Sequence, residues 1–460
     1  MKKVFFIVFT AYFGLWFILF KLGVNSLPIQ SEDTVPAMFL PYAIIENRTL
    51  YLTDYYDQMI ERYPHPDDRS YEKGMTPFYL KKIGNEFASA FTLITPILAL
   101  PVYLFPILFN IPPTWDVLIV LSHLSSAVLM ALSASLMFYL LNTFLVKDKK
   151  NAELLTFIYA FGTVNFAMLS QSLWQHGIVE LLAILQLIVL YKYFNFNGYK
   201  FVVLLGFLSG ITFLTRPTAI LISGFIFLAL IINAYIKTNK LNLKLFGYYF
   251  LGLLVPALFF WWYNSTYYVD ISNQGYASQL FEGWLGNFPE SFAGIWLSPS
   301  KGILVFTPVF IFSFVGLYLA LKKGIKENYI YLIFALIVLA HTLVMSFWKH
   351  WYGGFSFGYR MSSEIIPFLV LLLVPFVQSA SFNKYKKVFV VFVVISVLIE
   401  LYGMVFFDGI WHNAYDKGFT DTSWLWSLKD SEFAFNIRRL MVKFGMMDRA
   451  CSQCLPGYET

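Results

Sequence analysis

The sequence predicts an all-α, multi-pass membrane protein, a bundle of about eleven to thirteen transmembrane helices. Three observations carry that prediction. The 460 residues are 58% hydrophobic and only 13% charged, with a mean hydropathy of +0.64, which excludes a soluble multidomain chain. The apolar runs approach twenty residues, the length that a hydrocarbon layer of roughly 30 Å demands; they are continuous rather than alternating, which excludes a β-barrel. Finally, the short charged connections carry lysine only, at Lys2-Lys3, Lys147/Lys149/Lys150, Lys192/Lys200, Lys237/Lys240/Lys244, Lys322/Lys323/Lys326 and Lys384/Lys386/Lys387. They recur after every second crossing, as the positive-inside rule requires of cytoplasmic loops.

With Met1 cytoplasmic, spans are expected near 4–22, 117–145, 153–170, 177–194, 201–215, 217–236, 245–262, 302–321, 329–347, 363–380 and 388–405. The first follows Lys2-Lys3 like a signal peptide but has no small-x-small cleavage site, so it reads as a retained helix. Segment 87–109 is apolar enough to cross, yet Pro96, Pro101 and Pro106 interrupt it. A crossing there would also put Lys147/Lys149/Lys150 outside, so a re-entrant or interfacial helix is expected. Two long outer segments follow from these spans, 23–86 and 263–301, and an aromatic tail, 406–460, carries Trp411, Trp424 and Trp426. The chain therefore divides into a membrane domain, 1–405, and a small outer subdomain, 406–460. Cys451 and Cys454 form a lone C-x-x-C, better suited to an exported disulfide than to a redox or metal site without a second ligand pair. The net charge of +6 arises from topology signals and is no argument for nucleic-acid binding. No repeat and no Gly-rich phosphate loop is present in the sequence.

The arginines break the lysine pattern. All eight (Arg48, Arg62, Arg69, Arg216, Arg360, Arg438, Arg439 and Arg449) fall in the opposite-side segments. Lysine suffices to set topology, whereas arginine captures phosphate or carboxylate with a planar fork. The outer face is the expected working face.

Five constellations project there. Glu32-Asp33 follows the first helix and suits a general base or a metal ligand, although Asp33 ahead of Pro36 equally suits a helix N-cap. The stretch 38–57 after it should lie along the interface. Gln175-His176 joins two spans, with Glu180 one turn below His176 as its expected partner. Arg216 sits in Thr215-Arg216-Pro217-Thr218, a turn with almost no loop, where an arginine is expensive unless an anion meets it. Ser298-Pro299-Ser300-Lys301-Gly302 offers hydroxyls, a lysine and free backbone N–H groups, the makings of an anion nest. The segment from Trp348 to Arg360 holds His350, Tyr352, Gly353-Gly354 and Arg360, with Glu364 one turn further on. One acidic site facing several cationic ones suits a lipid-phosphate donor, a hydroxyl acceptor and a base between them.

These residues resemble the GT-C superfamily of membrane glycosyltransferases, which includes protein O-mannosyltransferases and the bacterial lipid A aminoarabinose transferase. Asp33-Thr34-x-Pro36, Leu40-Pro41 and Leu50-x-Leu52-x-Asp54 look like the first-loop pattern of a bacterial branch. Leu214-Thr215-Arg216-Pro217-Thr218 resembles its Thr-(Arg/Lys)-Pro turn, and Trp351-Tyr352-Gly353-Gly354-x-Ser356-x-Gly358-x-Arg360 a Gly/Ser/Arg loop. The motifs are short, and the likeness covers most of 1–380 but not the tail. It implies a GT-C-like bundle in a bacterial cytoplasmic membrane. It further implies inverting transfer of a sugar from a polyprenyl-phosphate carrier to a lipid, polysaccharide or protein hydroxyl. Asp33 is then the base, and Glu32, Asp54, Gln175, His176, Arg216, Ser300, Lys301, His350, Tyr352 and Arg360 bind substrate. The metal-using branch has an Asp-x-Asp-like pair where this chain has adjacent Glu32-Asp33, which argues against a divalent cofactor. Two other readings share the outer cations and aromatics: a non-catalytic flippase for lipid-linked glycans, for which the expected internal repeat is missing, and a ligase moving a whole glycan.

Overall fold

The computed structural model describes residues 1–24, 29–70, 72–277 and 283–447; Arg449, Cys451 and Cys454 lie outside them. Among the described residues, eight helices are long and apolar enough to cross a membrane: α1 (Lys2–Lys21), α5 (Trp115–Leu145), α7 (Gln175–Phe196), α9 (Pro217–Thr238), α10 (Lys244–Tyr268), α13 (Tyr329–Ser346), α14 (Arg360–Val377) and α15 (Ala380–Phe406). They coincide with eight of the eleven predicted spans.

The other three are shorter. The first is α6 (Lys149–Phe161), which stops at Gly162 before a single π-turn at Asn165–Leu169. The second, α8 (Tyr199–Thr215), is 17 residues, roughly 25 Å at 1.5 Å per residue. The third, α12 (Pro308–Lys322), follows a break at Thr307. Helices α8 and α10 pack backbone to backbone. A Cβ on Gly206 would lie 2.0 Å from the Tyr249 carbonyl oxygen, and one on Gly252 would lie 2.0 Å from that of Val203. This is how small residues bring membrane helices together where no hydrophobic drive separates lipid from protein.

The long segment between α1 and α5 folds over one end of the bundle. It contains α2 (Val35–Ile45), α3 (Tyr56–Arg62), the antiparallel ribbon β1 (Leu80–Ile83) and β2 (Glu86–Ser89), and α4 (Ile94–Leu108). Helix α2 departs from the interfacial placement expected of it. Met38, Phe39, Leu40, Tyr42 and Ala43 are all buried, and the Tyr42 hydroxyl donates to the Ile111 carbonyl at 3.0 Å. An amphipathic surface helix has a polar stripe; this one is apolar all round and is enclosed by α4 and α5. Helix α4, the proline-interrupted segment, runs 15 residues and exposes Leu104, Phe105 and Leu108.

At the same end lie α11 (Glu290–Leu297) and the tail helices α16 (Ile410–Tyr415) and α17 (Glu432–Lys443). The tail is fastened to the segment before α12. Ser298 Oγ donates to the Leu425 carbonyl at 2.7 Å, and Glu290 accepts from Thr422 Oγ1 at 2.6 Å and Trp426 Nε1 at 3.0 Å.

Candidate functional site

A cavity of about 960 Å³ opens at this end of the bundle. Its wall brings together Glu32, Asp33, Gln175, His176, Arg216, His350 and Arg360, seven of the side chains singled out in the sequence as site candidates, with Arg62, another of the eight arginines, and with Tyr276 and Asn413, which were not singled out.

Asp33 is delivered by a single 3₁₀ turn, Glu32–Thr34, that leads into α2. It is not the N-cap: Thr34 occupies that position, and Asp33 turns its carboxylate to the cavity. The turn is pinned from behind. Thr34 Oγ1 accepts from Ser172 Oγ at 3.1 Å, and Gln30 Nε2 donates to the Ala167 carbonyl at 2.8 Å. Asp33 Oδ1 accepts from Ser31 Oγ at 3.1 Å, and Oδ2 accepts from Arg360 Nη1 at 2.9 Å. Burial, then the charge of Asp33, pushes the neighbouring Glu32 carboxyl above its ordinary value.

Arg360 arrives on a chain that doubles back before α14. Gly353, Gly354 and Gly358 all have positive φ (86°, 58° and 65°), a conformation that residues with a Cβ rarely adopt. The Arg360 guanidinium stacks on Trp174 at 4.6 Å from the ring centre, and its Nε is buried with no partner among the described residues.

Arg216 stands in an extended residue between α8 and Pro217, the first residue of α9. Its Nη1 donates to Glu364 Oε1 and lies 2.6 Å from His176 Nδ1. Glu364 completes a buried cluster, with Oε1 3.1 Å from His176 Nδ1 and Oε2 3.1 Å from His341 Nε2. All four side chains are at most 8% exposed. An arginine only donates and an ionised carboxylate only accepts, so His176 Nδ1 can serve one of them at a time.

The expected His176–Glu180 pair is absent. Glu180 Oε2 accepts from Asn165 Nδ2 at 3.1 Å, away from the cavity, and Glu364 takes its place. Ser300 and Lys301 do not line the cavity, and the turn that holds them is not an anion nest. Ser298 Oγ already accepts from the N–H groups of Ser300 and Lys301, at 3.2 Å each. The Lys301 ammonium is sealed under the tail, donating to the Ser356 carbonyl and lying 2.9 Å from His412 Nε2. Burial lowers its pKa to about 8. Asp54 is exposed and bonded to Asn47 Nδ2 at 2.7 Å, off the cavity. Tyr352 is buried behind His350, its hydroxyl 3.2 Å from His350 Nδ1. Burial, then Lys349, depresses the His350 pKa.

Tyr276, which nothing in the sequence marked, donates its hydroxyl to Gln175 Oε1. Among the described residues no three His, Cys, Asp or Glu side chains are grouped as metal ligands; Asp33 and Glu364 each face an arginine instead.

Fold and cavity together define a mostly helical chain of the multi-pass membrane class, with a chamber of charged and aromatic side chains built from sequence-distant segments. No protein-family model matches the chain, and no curated protein matches it either.

Proposed function

We propose that this protein is an inverting glycosyltransferase of the GT-C kind, moving a sugar from a polyprenyl-phosphate carrier to an acceptor hydroxyl at the outer face of a bacterial cytoplasmic membrane. One observation carries the reading. Asp33 and Arg360, 327 residues apart, meet at 2.9 Å in the wall of a cavity of about 960 Å³ that Arg216 and His176 also line. A carboxylate to take a proton and guanidinium groups to hold a phosphate are the two things this transfer needs in one place.

The chemistry balances as follows. The acceptor oxygen bonds to the anomeric carbon, the bond from that carbon to the phosphate oxygen breaks, and the hydroxyl proton passes to Asp33. The carrier enters as a singly charged diester and leaves as a monoester with one more negative charge. Cations are therefore most useful where that charge develops. The volume suits a sugar-phosphate head, the lipid chain remaining in the bilayer. Phe78, Phe91 and Trp348 in the wall offer flat apolar surface to sugar rings. Glu32, beside Asp33 in the wall, can orient the acceptor by accepting a hydrogen bond from one of its hydroxyls.

Incubating the purified protein with radiolabelled polyprenyl-phosphate sugars and mixed envelope acceptors tests the proposal. Asp33→Asn should abolish transfer with donor binding retained, and Glu32→Gln should be milder. The reverse pattern would move the base to Glu32, and full activity in both would end the enzymatic reading of this loop.

A further inference from the structure

We propose that the Asp33–Arg360 ion pair is a displaceable lock, resting on the transferase reading above: the donor's phosphate takes Arg360 away from Asp33, and only then can Asp33 accept the acceptor's proton. The two arginines of the cavity are committed very differently. Arg216 faces Glu364, which is fully buried and held by two histidines, so neither partner can leave. Asp33 sits on a one-turn element with its side chain 27% exposed, and Ser31 is its other side-chain partner. Arg360 gives Asp33 one nitrogen only, and its buried Nε is unpartnered among the described residues. A carboxylate held this way uses part of the guanidinium fork, whereas a phosphate oxygen pair can use two of its N–H groups at once.

In-line displacement makes the exchange necessary. The base stands beside the attacking hydroxyl and the phosphate leaves from the opposite side of the anomeric carbon, so one arginine cannot stay on both. Arg360 keeps a singly charged partner through the exchange, while the released Asp33 carboxylate stays in the cavity as the base. After transfer, Asp33 is neutral and Arg360 faces a more highly charged carrier phosphate. Loss of the Asp33 proton to water restores the competing carboxylate and helps the carrier leave. Without donor, Asp33 stays occupied, and water in the cavity meets no free base.

Binding of a sugar-free polyprenyl monophosphate to the full-length protein in nanodiscs reads this directly. Asp33→Asn keeps the shape but removes the competitor, so the carrier phosphate should bind roughly tenfold tighter than to the parent, about 1.4 kcal/mol, near the low end for a charge-assisted hydrogen bond. Glu32→Gln alters the neighbouring carboxyl in the same cavity without touching Arg360 and should change Kd by about twofold or less. Arg360→Ala added to Asp33→Asn should erase the gain. Equal tightening in the two carboxylate variants, or no tightening in Asp33→Asn at parental melting temperature, overturns the lock alone. A folded parent that binds no polyprenyl phosphate at all overturns the lock and the transferase reading together.

Discussion

Replacing Glu364 with glutamine keeps the shape of the side chain and removes one charge. That charge faces Arg216 Nη1, His176 Nδ1 at 3.1 Å and His341 Nε2 at 3.1 Å, in a cluster where Glu364 itself is fully buried. The variant leaves the Arg216 guanidinium 7% exposed and without its counter-ion. Breaking a buried pair from one side costs about 3–5 kcal/mol, because the remaining charge stays desolvated. Removing both charges is far milder, so Glu364→Gln combined with Arg216→Met should recover much of the loss, giving a coupling of about 2–3 kcal/mol. Denaturant titration of the detergent-purified protein, read by tryptophan fluorescence, measures all three variants. A loss under about 1 kcal/mol in Glu364→Gln, or simple additivity in the double variant, would refute the pairing.

Arg360→Lys should impair donor binding nearly as much as Arg360→Ala, by roughly 1.5–3 kcal/mol, since lysine offers neither the fork nor a plane to stack on Trp174; parental binding by the lysine variant would remove Arg360 from the site. Burial raises the Glu432 carboxyl to about 7 against the opposing pull of Lys301, so between about pH 4.5 and 7 the folded state holds a proton there that the unfolded chain, at the ordinary 4.5, releases. The associated stability is full below about pH 4.5 and is lost as pH rises through about 7, a fall on the order of 3 kcal/mol. A melting profile across that range should flatten in Glu432→Gln. External thiol labelling should reach Ser70→Cys and not Lys149→Cys in intact cells, both positions being exposed in the fold; labelling at 149 would mean that α4 crosses the bilayer.

Much of this was legible in the sequence because a membrane enforces simple rules. Eight predicted spans recur as helices since each had to satisfy its backbone internally over about twenty apolar residues. The grouping of Asp33, His176, Arg216, His350 and Arg360 in one wall was legible for the same reason: alternation of sides sends their loops to one end of the bundle. The two arginine–carboxylate pairs were not legible, because they form across the bundle between residues 148 and 327 positions apart. Glu180 was nearer to His176 in sequence than Glu364, yet it faces Asn165. His341, in the middle of an apolar helix, was the available clue, since a polar side chain at that depth implies a partner. Lys301 misled because its turn carries the right chemistry; only the tail that covers it, docking through Leu425 and His412, shows that its donors are already in use.

The way the cavity is stitched together also fixes when it can exist. Asp33 is made well before its counter-ion, which comes 327 residues later. At about 5–20 residues per second the ribosome needs roughly 15–65 s to bridge that interval. Arg216 waits likewise for Glu364, and the wall is finished only when Asn413 takes its place in it. A nascent chain stalled in the middle of α13 would already hold most of its membrane helices, and none of the chamber would yet be closed.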